Sequence, residues 1–427
     1  MSALIIFGLL LTLMVVGMPI GVALGLTVLG FMFAFTETPI ASVALKMFTG
    51  IEKFEIMAIP FFILAGNFLT HGGVARRMIN FATSMVGHLT GGLGMSAVLA
   101  CALFAAVSGS SPATVVAIGS ILIPAMLKQG FPMSFSAGVV ASAGGLGILI
   151  PPSIVMVMYA VTTNSSVGAL FMAGVIPGLL LALVLGATTW WQARKGGYPR
   201  LPKASWGERF RTFREAFWGL MLIVVVMGGI YSGMFTPTEA AAMSAVYAFF
   251  IAVFVYKDLT FKQIPKVLLD SANMSSMLLF IIASAILFSF ILTSEQIPQG
   301  IADWIVHLGL GPVGFLIIVN ILLLIAGNFM EPSSIILILA PILFPVAVAL
   351  GIDPVHFGII ITVNMEIGMI TPPVGLNLFV ASGITRTGLT EMSTAVLPWL
   401  YAMLGFLIAI TYIPEISLWL PRTLGML

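Results

Sequence analysis

The sequence predicts an all-α polytopic membrane protein built from two inverted-topology repeats, each with a re-entrant helical hairpin and a broken transmembrane helix. Three observations predict it. The 427 residues are 60% hydrophobic and only 7% charged, with a mean hydropathy of +1.17, whereas soluble domains carry about 25% charged residues. The apolar runs are continuous and do not alternate at period two, which excludes a β-barrel. The third observation is a pattern written twice. Its first copy is Ser108-Gly-Ser-Ser-Pro-Ala-Thr114, an apolar run, Pro124, then Gly144-Gly-Leu-Gly-Ile-Leu-Ile-Pro-Pro152. Its second is Asn328-Phe-Met-Glu-Pro-Ser-Ser334, an apolar run, Pro345, then Asn364-Met-Glu-Ile-Gly-Met-Ile-Thr-Pro-Pro373.

At an offset of 221, four of the five prolines between Ile121 and Pro177 fall on a proline, and Gly130 and Gly147 fall on Gly351 and Gly368. Pro occurs at about one residue in twenty, so an internal duplication accounts for the matches and chance does not. Each copy sets Gly, Pro and small polar residues inside apolar sequence. Such residues break helices and free backbone N–H and C=O groups. In hydrocarbon those groups need protein, ion or water partners. Matched breaks in two halves are the sequence mark of a transporter's midplane site. Two Pro-kinked helices glued by polar residues would explain one pair of breaks but not two matched pairs.

The elements follow in order. Leu4 to Phe35 is apolar throughout and too long for one span, so it is read as two helices parted at Gly17-Met-Pro-Ile-Gly21. The N-terminus has neither a basic start nor a small-residue cleavage site and reads as a first helix, not a signal peptide. After a polar loop over Thr36–Ile40, residues 42–70 carry Lys46, Glu52, Lys53 and Glu55 before Ile59-Pro60 and read as an interfacial arm that turns inward. His71–Leu89, with Arg76 and Arg77, reads as an amphipathic interfacial helix. The hairpin covers about 92–129 and the broken span 132–163, and Leu170–Trp191 crosses back, completing a first repeat over 1–193. Residues 194–216 form a basic linker in which Trp206, Phe210 and Phe213 mark an amphipathic surface helix, not a nucleic-acid site.

The second repeat, 217–427, follows the same plan: spans over Phe217–Ser232 and Glu239–Tyr256, a basic loop, and a long element over Val267–Leu292. An interfacial stretch over Ser294–Leu310 comes next, then a hairpin at about 313–350, a broken span at 356–385 and a last span over Ser393–Trp419. Five crossings and one hairpin per half give the halves opposite orientation. With the linker in the cytoplasm, fourteen of the seventeen Lys and Arg face the cytoplasm, and only Lys46, Lys53 and Arg422 face outward. That split obeys the positive-inside rule and puts both termini in the periplasm.

At each hairpin tip one half-helix offers terminal carbonyls to a cation and the other offers free N–H groups to an anion. Hard oxygens without a carboxylate cluster favour a monovalent ion such as sodium. The sodium candidates, for two or more ions, are Ser108, Gly109, Ser110, Ser111, Thr114, Gly144, Gly145 and Gly147 in the first half. In the second half they are Asn328, Met330, Glu331, Ser333, Ser334, Asn364, Gly368 and Thr371. The substrate candidates are Ser110, Ser111, Pro112, Ser153, Asn328, Pro332, Ser333, Glu366, Pro373, Gly375 and Asn377. Neither motif contains Lys or Arg, so an anion would rest on helix N-termini, Ser, Asn and the bound cations. Glu331 and Glu366 are the only acids deep in the repeats and read as backbone acceptors or proton carriers. His71, His88, His307 and His356 are isolated and read as interfacial, and Cys101 reads as a packed hydrophobe. There is no Walker motif and no recognisable nucleophile–base pair, which argues against an ATPase or an enzyme.

The chain resembles the large membrane subunit of tripartite ATP-independent periplasmic (TRAP) transporters. The matching stretches are Ala58-Ile-Pro-Phe-Phe-Ile-Leu-Ala-Gly66, Gly72-Gly-Val-Ala-Arg76, the Ser108–Thr114 motif, Gly147-Ile-Leu-Ile-Pro-Pro-Ser153 and Gly368-Met-Ile-Thr-Pro-Pro-Val-Gly375. The resemblance implies an elevator mechanism and sodium-driven uptake of a small organic acid of the C4-dicarboxylate or sialic acid type. It implies a small four-helix membrane subunit (Q type), a periplasmic substrate-binding protein (P type), and the bacterial inner membrane as location. A stand-alone sodium- or proton-coupled anion transporter is the alternative reading.

Overall fold

The computed structural model describes residues 2–36, 41–300, 303 and 311–427. Helices make up the architecture, and no strand occurs among the described residues. The first half holds α1 (Ser2–Val15), α2 (Ile20–Phe35), α3 (Ala41–Ile51), α4 (Ala58–His71), α5 (Val74–Val86), α6 (Gly92–Ser108) and α7 (Ser111–Lys128). It continues with α8 (Met133–Ala143), α9 (Leu146–Leu149), α10 (Ile154–Thr163) and α11 (Val167–Gly196). The second half holds α12 (Trp206–Tyr231), α13 (Pro237–Phe250), α14 (Ile264–Ser294), α15 (Pro312–Gly327) and α16 (Pro332–Ala349). Last come α17 (Pro354–Gly368), α18 (Leu376–Thr385), α19 (Leu389–Tyr412) and α20 (Glu415–Thr423). Among the described residues eight helices are long and apolar enough to cross a membrane, and α8–α9 with α10, bent by 40°, form a ninth.

Local chemistry sets the boundaries. Gly17, at φ 88°, and Pro19 separate α1 from α2. A turn of 3₁₀ helix over Phe54–Met57 separates the charged arm α3 from α4. Gly109 at φ 60° ends α6, and Pro112 sits in the first turn of α7, where its missing N–H costs nothing. Thr236 and Glu239 form a reciprocal capping box at the start of α13. The Pro151–Pro152 and Pro372–Pro373 bonds are both cis.

Two packing groups result. In one, α2 and α3 lie on α14, α4 lies on α13, and α12 bridges α5 and α13. Arg77 fastens α5 to this group by pairing with Asp258 and stacking 3.8 Å from the Tyr256 ring centroid. The other group holds both hairpins and both broken helices, and its contacts are reciprocal between halves. Hairpin limb α7 packs on α18 while limb α16 packs on α10. Likewise α8 packs on α19 while α17 packs on α11.

Three expectations change. No separate surface helix forms within 194–216, because α11 runs to Gly196 and ends at Gly197 (φ 64°). Ser205 then caps α12, which carries the basic-aromatic turns and the following span as one 26-residue helix. The last span stops at Tyr412, since Pro414 forces Ile413 out of helical geometry (φ −121°, ψ 81°), and α20 starts anew. His356 is not interfacial: it is 3% exposed, with Nδ1 2.7 Å from the Ser417 hydroxyl and Nε2 3.3 Å from the Thr411 carbonyl. His88 is only half-buried, yet its Nδ1 is sequestered without a hydrogen-bond partner. The stretch expected to be interfacial over 294–310 lies largely outside the described residues, as does His307.

Candidate ion and substrate site

Each hairpin tip meets the break of its own half. At the first tip the Ser108 and Thr114 hydroxyls lie 2.8 Å apart, and Thr114 Oγ1 also donates to the Ser110 carbonyl at 2.9 Å. The break closes directly over this tip. A Cβ on Gly147 would stand 2.6 Å from the Ser110 carbonyl oxygen, and one on Gly109 would stand 2.9 Å from the Pro152 carbonyl oxygen. Only glycine allows that approach. Ser153 does not face an open space: its hydroxyl donates to the Ile148 carbonyl at 2.6 Å and accepts from Met156 N–H at 3.3 Å, bridging α9 and α10.

At the second tip Gly327 and Gly368 touch backbone to backbone, since a Cβ on Gly368 would lie 2.6 Å from Gly327 Cα. Val374 N–H donates to the Asn328 carbonyl at 3.1 Å, tying the tip to the second break. Glu331 caps α16 and accepts from Ser334 Oγ at 3.3 Å, with Pro332 and Ser333 buried beside it. Thr371 Oγ1 is spent on the Ile367 carbonyl at 2.7 Å. Met330 is half-exposed, as is Pro112 at the first tip, and Pro373 is exposed. Gly375 adopts φ 53° ahead of α18.

At the site, two side chains of the second half reach the first. Asn377 donates its side-chain amide to Ser111 Oγ at 2.7 Å and to the Ala141 carbonyl at 3.2 Å. Glu366 packs on Gly145, where a Cβ would lie 2.8 Å from the Glu366 Oε1 atom. The cluster therefore gathers Ser111, Gly145, Glu366 and Asn377 from both copies of the pattern. It leaves Gly144 packed under Val115 instead, where a Cβ would meet Val115 Cγ2.

The tips and breaks hold a surplus of oxygen acceptors. Buried side-chain oxygens without a hydrogen-bond partner include Asn328 Oδ1, Asn364 Oδ1, Asn377 Oδ1, Ser142 Oγ and both carboxyl oxygens of Glu366. Leaving one such group unpaired costs about 1–3 kcal/mol, so the set calls for positive charge or donated protons. Asn364, Glu366 and Asn377 are each 0% exposed. Among the described residues no three His, Cys, Asp or Glu come together as ligands for a metal, and the donors are amide, hydroxyl and a lone carboxyl. That set fits a monovalent alkali cation better than calcium or a transition metal. Ser142 was not among the sequence candidates because it lies two residues before the glycine run, outside the motif. A groove of about 1250 Å³ runs from Trp190 to Tyr231 between α6, α11 and α12 and has no charged side chain in its lining, so it does not suit an anion.

An all-helical, multi-span protein with broken helices in both halves and unpaired buried oxygens beside them has the make-up of a membrane transporter permease. The description that fits residues 7–416 is the DctM component of the tripartite ATP-independent periplasmic transporter, and the chain belongs to that family as a large permease subunit. It is 70% identical to the C4-dicarboxylate TRAP transporter large permease protein DctM of Rhodobacter capsulatus, covering 100% of both chains. It is 58% identical to the Pseudomonas aeruginosa protein of that name, covering 95% of both. A solved structure, the YdaH transporter of Alcanivorax borkumensis, matches at a TM-score of 0.62 and 16% identity, covering 87% of this chain and 88% of that one; this is likeness of fold.

Proposed function

We propose that this chain drives sodium-coupled uptake of a C4-dicarboxylate by an elevator mechanism across the bacterial inner membrane. The small four-helix Q-type subunit and a periplasmic P-type binding protein are its partners. The observation that carries the reading is the set of orphaned, completely buried oxygens at Glu366 and Asn377, which touch the first half, and at Asn364 on the same helix as Glu366. Co-transported sodium supplies the positive charge that these oxygens lack and that a dianion, with no Lys or Arg in either motif, needs. Either a cation or a proton must neutralise Glu366, because an unpaired buried carboxylate is far too costly.

The reciprocal packing of α7 on α18 and α16 on α10 supports two inverted repeats, with the linker cytoplasmic and both termini periplasmic. The unpartnered amide and carboxyl oxygens all ride on the hairpin group, whereas α2 and α14 hold only the unpartnered hydroxyls of Thr27 and Ser284; that division suits a body sliding on a scaffold. A cavity of about 310 Å³ separates Glu331 and Ser334 at the second tip from Pro19–Val22, Met277, Phe280 and Ile281 on the scaffold side. The substrate class follows the relatives at 70% and 58% identity, both named for C4-dicarboxylates. The test is uptake by the reconstituted complex with its binding protein. Succinate should enter only with an inward sodium gradient and sialic acid should not, and equal uptake with and without sodium would refute the coupling.

A further inference from the structure

We infer that Asn320 and Thr411 are positioning residues for a cation held by the side-chain oxygen of Asn364. The inference rests on the sodium reading and adds two residues on two further elements, hairpin limb α15 and last span α19. Acceptor-only groups fix the direction of every hydrogen bond in the chain. One side-chain atom of Asn364 lies 2.9 Å from the Ile360 carbonyl oxygen. A carbonyl only accepts, so that atom is the amide nitrogen. The same nitrogen donates its second hydrogen to Asn320 Oδ1 at 2.8 Å. With its oxygen engaged there, Asn320 turns its own nitrogen to Thr411 Oγ1 at 3.0 Å. Thr411 Oγ1 passes its proton to the Leu407 carbonyl at 2.7 Å and is thereby an acceptor for Asn320.

Both hydrogens of Asn364 are therefore committed, and its Oδ1 is left buried without a partner. Neither rotamer nor amide orientation is free. Flipping Asn364 would face oxygen to oxygen at both Asn320 and Ile360, so the free oxygen is pre-aimed at no cost when an ion arrives. Asn377 shows the same logic by a different route, with its amide held by Ser111 and the Ala141 carbonyl and its Oδ1 free. Asn320 is the lone strongly polar side chain in the apolar run of α15, where a polar group needs a partner.

The experiment compares Asn320→Ala, Thr411→Val, Thr411→Ser and Asn364→Ala in the reconstituted transporter. Asn320→Ala should raise the sodium concentration for half-maximal uptake about tenfold, the scale of one hydrogen bond supporting a charged site. Thr411→Val should raise it about threefold, and Thr411→Ser, which keeps the hydroxyl, should restore it. The KM for substrate at saturating sodium should not move. A lower maximal rate with unchanged sodium dependence in both Asn320→Ala and Thr411→Val overturns the proposal and leaves them as packing residues. Should Asn320→Ala fail to assemble, the Thr411 pair decides, read also as the sodium-dependent shift in Tm. Unchanged sodium dependence in Asn364→Ala overturns the sodium reading and this proposal with it. A shift in Asn364→Ala alone overturns only the positioning role.

Discussion

The two hairpin tips hold matching places in the chain and are covered very differently. At the first, Ser108, Ser111, Thr114, Pro151, Pro152 and Ser153 are all buried, and the hydroxyls are satisfied by one another, by backbone and, at Ser111, by the Asn377 amide. At the second, Phe329, Pro372, Pro373 and Val374 are exposed, Glu331 faces a cavity, and Asn328 Oδ1 has no partner. Both tips are pinned by glycine contacts of the same closeness, 2.6 Å for the Cβ that Gly147 or Gly368 lacks. The duplicated pattern thus supplies similar polar groups to both tips, while packing decides which copy is covered. One closed and one open copy is the asymmetry that the proposed alternating access demands, since the halves exchange conformations to move the site.

The largest test of this comparison is Gly147→Val. Its side chain would run into the Ser110 and Ser111 backbone, which cannot yield as a flexible side chain can. Overpacking at such a contact costs about 1–3 kcal/mol, so we expect uptake to be lost and Tm to fall. Phe329→Ala, on the exposed second tip, should leave thermal stability within about 0.5 kcal/mol. Cysteine labelling then compares the breaks. In a Cys101→Ala background, Val374→Cys should react readily with a small membrane-impermeant thiol reagent and Ser153→Cys should not, because Ser153 is 0% exposed and Val374 is 36% exposed. Equal labelling rates would erase the distinction between the two breaks.

A smaller effect separates the free amide oxygens. Asn377→Ala removes a buried oxygen of the proposed sodium site and the tether to Ser111, and should raise the half-maximal sodium concentration about ten- to hundredfold. Asn328 is half-exposed, so Asn328→Ala should raise it only about threefold. Sodium titration of uptake checks both. The smallest effect belongs to Thr371→Val, whose hydroxyl is already spent on its own helix. Its stability should stay within about 0.5 kcal/mol and its sodium dependence should not change. A large rise there would return Thr371 to the ligand set.

What the sequence determined by itself was the class and the place of the breaks. Hydropathy fixes which runs can leave water, and Gly and Pro act on the backbone of their own neighbours, so Gly109, Pro112 and the two Pro-Pro pairs punctuate the chain wherever it folds. The duplicated Ser and Asn motifs were visible for the same reason. Tertiary structure decided what those residues do. Ser153 became a helix cap and Thr371 a self-bonded hydroxyl, while Asn364 and Asn377 kept a free oxygen because partners elsewhere, all but Ile360 far along the chain, took their hydrogens. Asn320 lies 44 positions from Asn364, and Ser111 lies 266 from Asn377. An amide can give two hydrogens and accept at one oxygen, and which of these remains for a ligand depends on neighbours that only folding brings within 3 Å.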